Sequence, residues 1–406
     1  MPDKKLKVMI LAERFYPEEF IINDLAAKWS EKDFEIDVLT QAPSYPFGKI
    51  FKGYSNKLFS RDQWKNINIL RFFTITGYKE SLFLKLLNYF SFALVGSIVA
   101  LFIGRKYDRV FVYHVGPLTL AIPAVVIGKI YKKDVTIWTQ DVWPDSVYAY
   151  GFRKRKFLSA ILDGFVSFVY RNCDRIFVSC EGFRQKITPY APCKPVYHFP
   201  NWPVIPQGVE SDSKRIKLSD KFNFTFAGNV GKVQNLENVV RGFSMASAKN
   251  ENIQLNIIGD GSNLENLKEI IDAEKISNVV FWGRRNQQEM PAYFNASDVM
   301  VISLNDAPIF TLTVPSKFQS YLAAGKPIFC IMNGEVRRIV EQYQTGLCAA
   351  PGDLKGIMEV FLEFYSLRSG GLQSFVKNSR ILLDSIYDRG KIVDSMTNLI
   401  IDGRLP

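Results

Sequence analysis

The strongest constraint in this 406-residue chain is a rhythm. Short β-branched and aromatic runs alternate with stretches whose apolar residues recur at helical spacing. In the first half the runs are Lys7–Ala12, Phe34–Thr40, Arg109–His114, Asp134–Asp141 and Arg175–Cys180, with helical patterns around 20–31, 81–104, 117–131 and 157–171. Strands this continuously apolar are buried on both faces, and the intervening helices supply the cover, so the rhythm predicts a parallel sheet clad in helices. Six prolines (Pro189, Pro192, Pro195, Pro200, Pro203 and Pro206) then interrupt it and read as a linker. The rhythm restarts with Phe222–Asn229, Ile253–Gly261, Asn278–Arg284, Val299–Leu304, Lys326–Ile331 and Gly346–Cys348, separated by helices near 235–248, 263–274, 287–296, 316–324 and 335–343. Two Rossmann-like α/β domains are expected, 1–200 and 201–385, with 386–406 a C-terminal helix able to cross back to the first.

Charge separates the halves. Residues 1–200 hold 29 Lys and Arg against 18 Asp and Glu, while residues 201–406 hold 22 of each. A one-sided positive field suits nucleic acid, an anionic membrane or a phosphorylated substrate. No zinc-finger, RNA-recognition or helix-turn-helix spacing supports nucleic acid, which is not expected as a partner. The basic residues instead flank apolar segments. Lys79 and Lys85 lead into Leu86–Gly104, Arg105 and Lys106 follow it, Lys129, Lys132 and Lys133 close a second segment, and Arg153–Lys156 reads RKRK.

The segment Leu86–Gly104 has the length of a membrane span. Buried parallel strands on either side of it, however, require the chain to return to one side. Ser81, Lys85 and Asn88 add a polar stripe. The favoured reading is a helix lying in the interface of an anionic membrane, with a span and a buried core helix as alternatives. Cys173, Cys180, Cys193, Cys330 and Cys348 form no CxxC pair, which suits a reducing cytoplasm, and with only His114 and His198 no metal site is expected. The N-terminal segment has no signal-peptide cleavage pattern. These features place the chain, as an expectation, at the cytoplasmic face of a membrane and peripheral to it.

Chemistry concentrates at strand ends. The turn Gly228-Asn229-Val230-Gly231 sits between a strand and a helix, where close backbone approach and free N–H groups suit a phosphate. Gly259-Asp260-Gly261 and Gly283-Arg284 end the next two strands and point to the same crevice. Ser316 reads as an N-cap, which leaves Lys317 in the first turn of a helix, where the dipole disfavours a cation unless an anion is bound. In the first half, Asp141 ends a strand and is a candidate base, with Asp145 just beyond it. His114 ends another strand, and Glu18 and Glu19 lie in an early carboxylate-rich loop. Each of these also has a plain structural reading as a turn, a cap or a surface group.

Together, AGNVGKVQNLENVV, IIGDGSNLENL, FWGRRNQQEMPAYFNASDVMVIS, PSKFQSYLAAGKPI, AERFYPEEF, VYHVGP, TQDVWPDS and FPNW resemble the retaining GT-B glycosyltransferases of family 4 over nearly the full length. ERFYPEEFIIND, TQAPSYPF and WTQDVWPD bring it nearest to bacterial surface-polysaccharide transferases, the WbuB-like enzymes that move N-acetyl-L-fucosamine onto an undecaprenyl-linked sugar. The resemblance implies two Rossmann-like domains with parallel sheets facing each other across a cleft. It also implies a UDP-sugar co-substrate, no cofactor and no metal, and a saccharide acceptor linked to a lipid diphosphate. It places Trp282, Arg284, Thr311, Leu312, Thr313, Ser316 and Ser320 beside the donor and Asp141 and His114 beside the acceptor.

This chain departs from the family where charge matters most. The basic pair that meets the diphosphate is replaced by Asn229 and Gln234, and the two glutamates at the donor sugar and ribose by Leu312 and Ser320. Lys232 and Lys317, with Arg284, are the candidates to supply the missing charge. Gln140 stands where a histidine often precedes the aspartate. A dinucleotide enzyme or epimerase is a rival reading, weakened because Leu11-Ala12-Glu13-Arg14 after the first strand carries no GxGxxG. A non-catalytic assembly protein is the other.

Overall fold

The computed structural model describes residues 5–32, 34–149, 155–204 and 216–402; Arg153, Lys154 and Pro206 lie outside the described residues. The chain divides into two compact units, one running to Pro200 and resuming at Gly390, the other spanning Asn201–Arg389.

The first unit is built on eight strands: β1 (Leu6–Ala12), β2 (Phe34–Gln41), β3 (Phe59–Trp64), β4 (Ile67–Phe72), β5 (Arg109–His114), β6 (Asp134–Thr139), β7 (Arg175–Val178) and β8 (Val196–His198). Their order is β3-β4-β2-β1-β5-β6-β7-β8. All neighbours are parallel except β3, which runs antiparallel to β4. Val8–Leu11 of β1 are wholly buried, as the centre of a sheet covered on both faces requires. The order reverses between β1 and β5. Ligands of open α/β sheets bind at such a reversal, beyond the carboxyl ends of the strands.

Two features depart from expectation. The hairpin β3–β4 fills 59–72, where the apolar runs predict no strand: Ser60, Arg61, Asp62 and Gln63 keep the edge strand β3 polar, and Asn68 and Arg71 interrupt the apolar run of β4. The proline-rich segment is more than a linker. It contributes β8 at the sheet edge, where Pro195 is tolerated because an edge strand need not donate on both sides. The helix Arg389–Asp402 packs within this unit: Trp29 Nε1 donates to Thr397 Oγ1 at 2.9 Å and Arg109 Nε to the Ile400 carbonyl at 3.1 Å.

The second unit has six parallel strands: β9 (Phe222–Ala227), β10 (Ile253–Ile258), β11 (Val279–Gly283), β12 (Val299–Ser303), β13 (Ile328–Ile331) and β14 (Gly346–Ala349). The order is β11-β10-β9-β12-β13-β14, so the reversal lies between β9 and β12. The core is aromatic. The Phe361 ring packs edge-on against Phe224, Phe243 and Phe329 with centroids 4.7, 5.3 and 4.8 Å away. Phe361 belongs to the helix Leu354–Ser366, which the sequence pattern had not marked.

Candidate functional site

At the reversal in the second unit, β9 is followed by Gly228, with φ of +138°, and the helix Ser316–Ala323 begins beside it. The cap differs from expectation. Pro315 occupies the N-cap position without a capping side chain, Ser316 is the first helical residue, and Lys317 is the second. Lys317 turns its side chain back over the end of β9. Its ammonium sits 3.9 Å from the Phe226 ring centre, and 3.0 Å from where a Cβ on Gly228 would stand. That nitrogen is buried and has no hydrogen-bond partner among the described residues. Burial lowers its pKa to about 7, because nothing nearby compensates the charge. Tyr321, one turn on, fixes the strand end: its hydroxyl accepts from Ala227 N at 3.0 Å and lies 3.1 Å from the Ala227 carbonyl.

The two glycine turns act as one piece. A Cβ at Gly259 would stand 1.8 Å from the Gly228 carbonyl oxygen, and one at Gly261 would stand 2.4 Å from that of Val230. Val230 N donates to the Asp260 carbonyl at 2.9 Å, and Gly261 N to Asp260 Oδ1 at 2.7 Å. Gly259, Asp260 and Gly261 therefore brace the Gly228–Gly231 turn from behind. Asn229 and Gln234 are paired with each other: Gln234 Oε1 accepts from Gly231 N at 2.9 Å and from Asn229 Nδ2 at 3.3 Å. Lys232 is exposed beside them. Two neutral side chains at this turn leave Lys317 as its buried cation.

The remaining candidates are dispersed. Trp282 Nε1 donates to Asn256 Oδ1 at 2.9 Å, and its ring meets Tyr293 edge-on, so the indole is tied into a polar network on β10. Arg284 is exposed. Thr311 and Thr313 hydroxyls donate to the Pro308 and Ile309 carbonyls, closing the short turn Phe310–Leu312, against which Gly334 packs backbone to backbone. Ser320 donates to the Ser316 carbonyl at 3.3 Å.

In the first unit the reversal between β1 and β5 gathers a different set. Glu13, just past β1, is buried, and its Oε2 stands 3.3 Å from where a Cβ on Gly116 would be. Its other oxygen takes Arg14 at 3.2 Å and Gln41 Nε2 at 3.4 Å. Burial raises its pKa, against the pull of Arg14, Lys85 and Gln41. The Arg14 guanidinium lies over the rings of Tyr45 and Tyr78, at 4.5 and 5.2 Å. Glu18 is a loop clamp, accepting from Ser44 N at 2.8 Å and Tyr45 N at 2.6 Å, while Glu19 is exposed.

Asp141 follows β6 and accepts from Val142 N at 2.9 Å, and burial raises its pKa to about 6. Glu13, Arg14, Tyr78 and Asp141 all act electrostatically on Tyr89, whose hydroxyl burial already holds protonated. The carboxylates of β1 and β6 thus share one neighbourhood. His114 does not present a free nitrogen. It is wholly buried, with Nδ1 3.2 Å from Thr139 Oγ1 and Nε2 3.1 Å from the Gly116 carbonyl. Burial lowers its pKa to about 4, so the ring is a neutral brace for the Gly116 turn. Glu13 escaped sequence reading because only the strand order puts it at the reversal. Among the described residues no group of three His, Cys, Asp or Glu side chains could hold a metal ion.

Two open parallel sheets, each with its polar residues at the point of order reversal, make the GT-B fold of glycosyltransferases. The sucrose-phosphate synthase of Thermosynechococcus elongatus matches 97% of this chain and 98% of its own, at TM-score 0.71 and 12% identity. Alr3699/HepE of Anabaena, in complex with UDP, matches 98% and 100%, at 0.68 and 10%. Residues 209–380 match the family described as Glycosyl transferases group 1. The probable glycosyltransferase WbjE of Pseudomonas aeruginosa is 29% identical over 52% of this chain, a match spanning little more than half (55%) of WbjE. The putative colanic acid biosynthesis glycosyl transferase WcaI of Escherichia coli K12 is 22% identical over 79% of this chain and 82% of its own length.

Proposed function

We propose that the chain transfers a sugar from a UDP-sugar to a saccharide carried on a lipid diphosphate, with retention at the anomeric carbon and without a metal. The observation that carries this reading is the buried, unpartnered Lys317 ammonium at the end of β9. A cation kept without a counter-charge at a phosphate-accepting turn is completed by a diphosphate. The acceptor hydroxyl attacks the anomeric carbon as the bond to the UDP oxygen breaks, and the departing diphosphate takes the hydroxyl proton. Lys317 stabilises the charge that builds on that leaving group. Asp141, in the first unit, orients the acceptor hydroxyl.

Likeness to polysaccharide transferases and to a UDP-bound neighbour supports the donor and the pathway class. The sugar we propose is N-acetyl-L-fucosamine and the lipid undecaprenyl, on the WbuB-like segments ERFYPEEFIIND, TQAPSYPF and WTQDVWPD, with the enzyme at the cytoplasmic face of the inner membrane. The test is a screen of UDP-sugars against a synthetic lipid-diphosphate saccharide, read by mass spectrometry, which should give one product heavier by a single sugar. Leu312 and Ser320, in place of the family's glutamates, favour a second reading, a non-catalytic assembly protein. UDP binding without transfer from any UDP-sugar would select it.

A further inference from the structure

The helix Leu82–Ile103 is built inside out. Its polar residues Asn88 and Ser91 are 2% and 5% exposed, held by hydrogen bonds that Asn88 Nδ2 donates to Gln41 and Ile75 and that Ile75 N donates to Ser91. Its outward face is apolar: Leu86, Phe90, Leu94, Ile98 and Phe102 recur every four residues, with Phe90 63% and Phe102 84% exposed. A second helix, Lys156–Arg171, buries Val166, Val169 and Tyr170 yet also turns apolar side chains outward. Phe157, Ile161 and Phe168 are exposed along one stripe, Phe157 at 79%. The helix Ile122–Tyr131 joins the two: Lys129 Nζ stands 4.8 Å over the Phe168 ring, the Tyr131 hydroxyl donates to the Leu101 carbonyl, and Gly104 packs on Ile127 and Tyr131. Ile130, between them, is also exposed.

We propose that these three helices form one lipid-contacting face, with the helix Lys156–Arg171 as its second arm. The first unit lies on the surface of an anionic bilayer, and the long helix runs along the membrane. The inference rests on the membrane part of the function proposed above and is independent of the donor site. Three observations name a bilayer as the occupant. Apolar side chains cover the outer faces of joined helices over an extent that an isolated surface residue does not explain. The rim is cationic, with Lys85, Arg105, Lys129, Lys132, Arg155 and Arg171 exposed around it. Within the first helix no acidic residue interrupts the face. The buried Asn88 and Ser91 fix the helix to the loops of its own unit, which opposes a crossing orientation.

The experiment uses the full chain with vesicles of phosphatidylcholine alone or with 30% phosphatidylglycerol, read by co-sedimentation. We expect binding to the anionic vesicles, reduced by high salt. Phe157→Asp combined with Ile161→Asp should weaken it at least tenfold while UDP affinity stays unchanged. Leu58→Asp, at an exposed apolar position outside the three helices, should leave it intact. Hydrogen exchange on the unaltered chain should show that vesicles protect both 82–103 and 156–171, a readout that does not depend on how the variants fold. Vesicle binding that survives both substitutions, or protection confined to 82–103, would overturn the second arm. Extraction only by detergent and not by alkaline carbonate would replace the surface orientation with a span. Dimerisation without lipid, abolished by the same two substitutions, would make a second copy the occupant.

Discussion

The Lys317 ammonium rests 3.9 Å above the centre of the Phe226 ring, against the Gly228 backbone, with no acceptor within hydrogen-bonding reach among the described residues. The ring face offers only weak compensation for a cation taken out of water. In the isolated protein this is a standing cost in stability, which an arriving anion offsets.

Lys317→Met should therefore stabilise the fold at neutral pH while weakening UDP binding. The Lys317 pKa is lowered to about 7 in the folded chain, from 10.5, so the unfolded chain binds more protons between those values. The residue's unfavourable contribution is full below pH 7 and fades as pH rises toward 10. The gain from the substitution, of order 1–3 kcal/mol and a few degrees in Tm, should shrink over that range. Thermal melts at pH 7 and 10 check it. A variant less stable at pH 7 would refute the assignment of a buried, uncompensated charge.

UDP binding should draw a proton from solvent. A bound diphosphate favours the ammonium and raises its pKa, so above pH 7 binding takes up as much as one proton, and at pH 6, where the amine is already charged, almost none. Calorimetry in buffers of different ionisation enthalpy measures the uptake. Lys317→Met should abolish it.

Asp141→Asn should lower transfer about 10²-fold, the scale of a misplaced acceptor hydroxyl, and leave UDP affinity unchanged, since the donor residues belong to the other unit. With the pKa raised to about 6, the carboxylate becomes charged as pH rises through 6, so the rate should climb over the same interval. That acidic limb should be missing from the variant. A limb that survives in Asp141→Asn belongs to another group.

The glycine turns should differ sharply in tolerance. Gly259→Ala places a methyl 1.8 Å from the Gly228 carbonyl at a φ of +141°, so backbone must move and UDP binding should be lost with stability. Gly283→Ala, at a φ of +66° with open space around it, should cost only about 1 kcal/mol. Urea titrations of both variants, with UDP calorimetry, distinguish bracing from simple turn geometry.

Much of the fold is legible in the residues alone. The apolar runs mark the central strands because burial on both faces leaves a continuous signal, as in Val8–Leu11 and Phe222–Ala227. Edge strands lack that signal, so Phe59–Trp64 and Val196–His198 went unseen. Lys317 was suspect from its place in a helix's first turn. Its seat over Phe226, however, is a contact across 91 residues that no local pattern encodes. His114 is a candidate site residue because it ends a strand, and only the folded structure puts both its nitrogens within hydrogen-bonding distance of Thr139 Oγ1 and the Gly116 carbonyl. Glu13 is the converse case, a residue whose place is set wholly by strand order.

The bond from Trp29 to Thr397 joins residues 368 positions apart, and the whole second unit is synthesised between them. On a ribosome adding about 5–20 residues per second, the first unit waits on the order of ten to forty seconds for its last helix. Through that interval Trp29, wholly buried in the finished protein, lacks its cover. The second unit, continuous in sequence, is free to fold first. Synthesis of the helix Arg389–Asp402, rather than any local event, is then the step that seals the first unit's core, and nascent chains stalled before Arg389 should expose Trp29 to proteases and hydrophobic dyes.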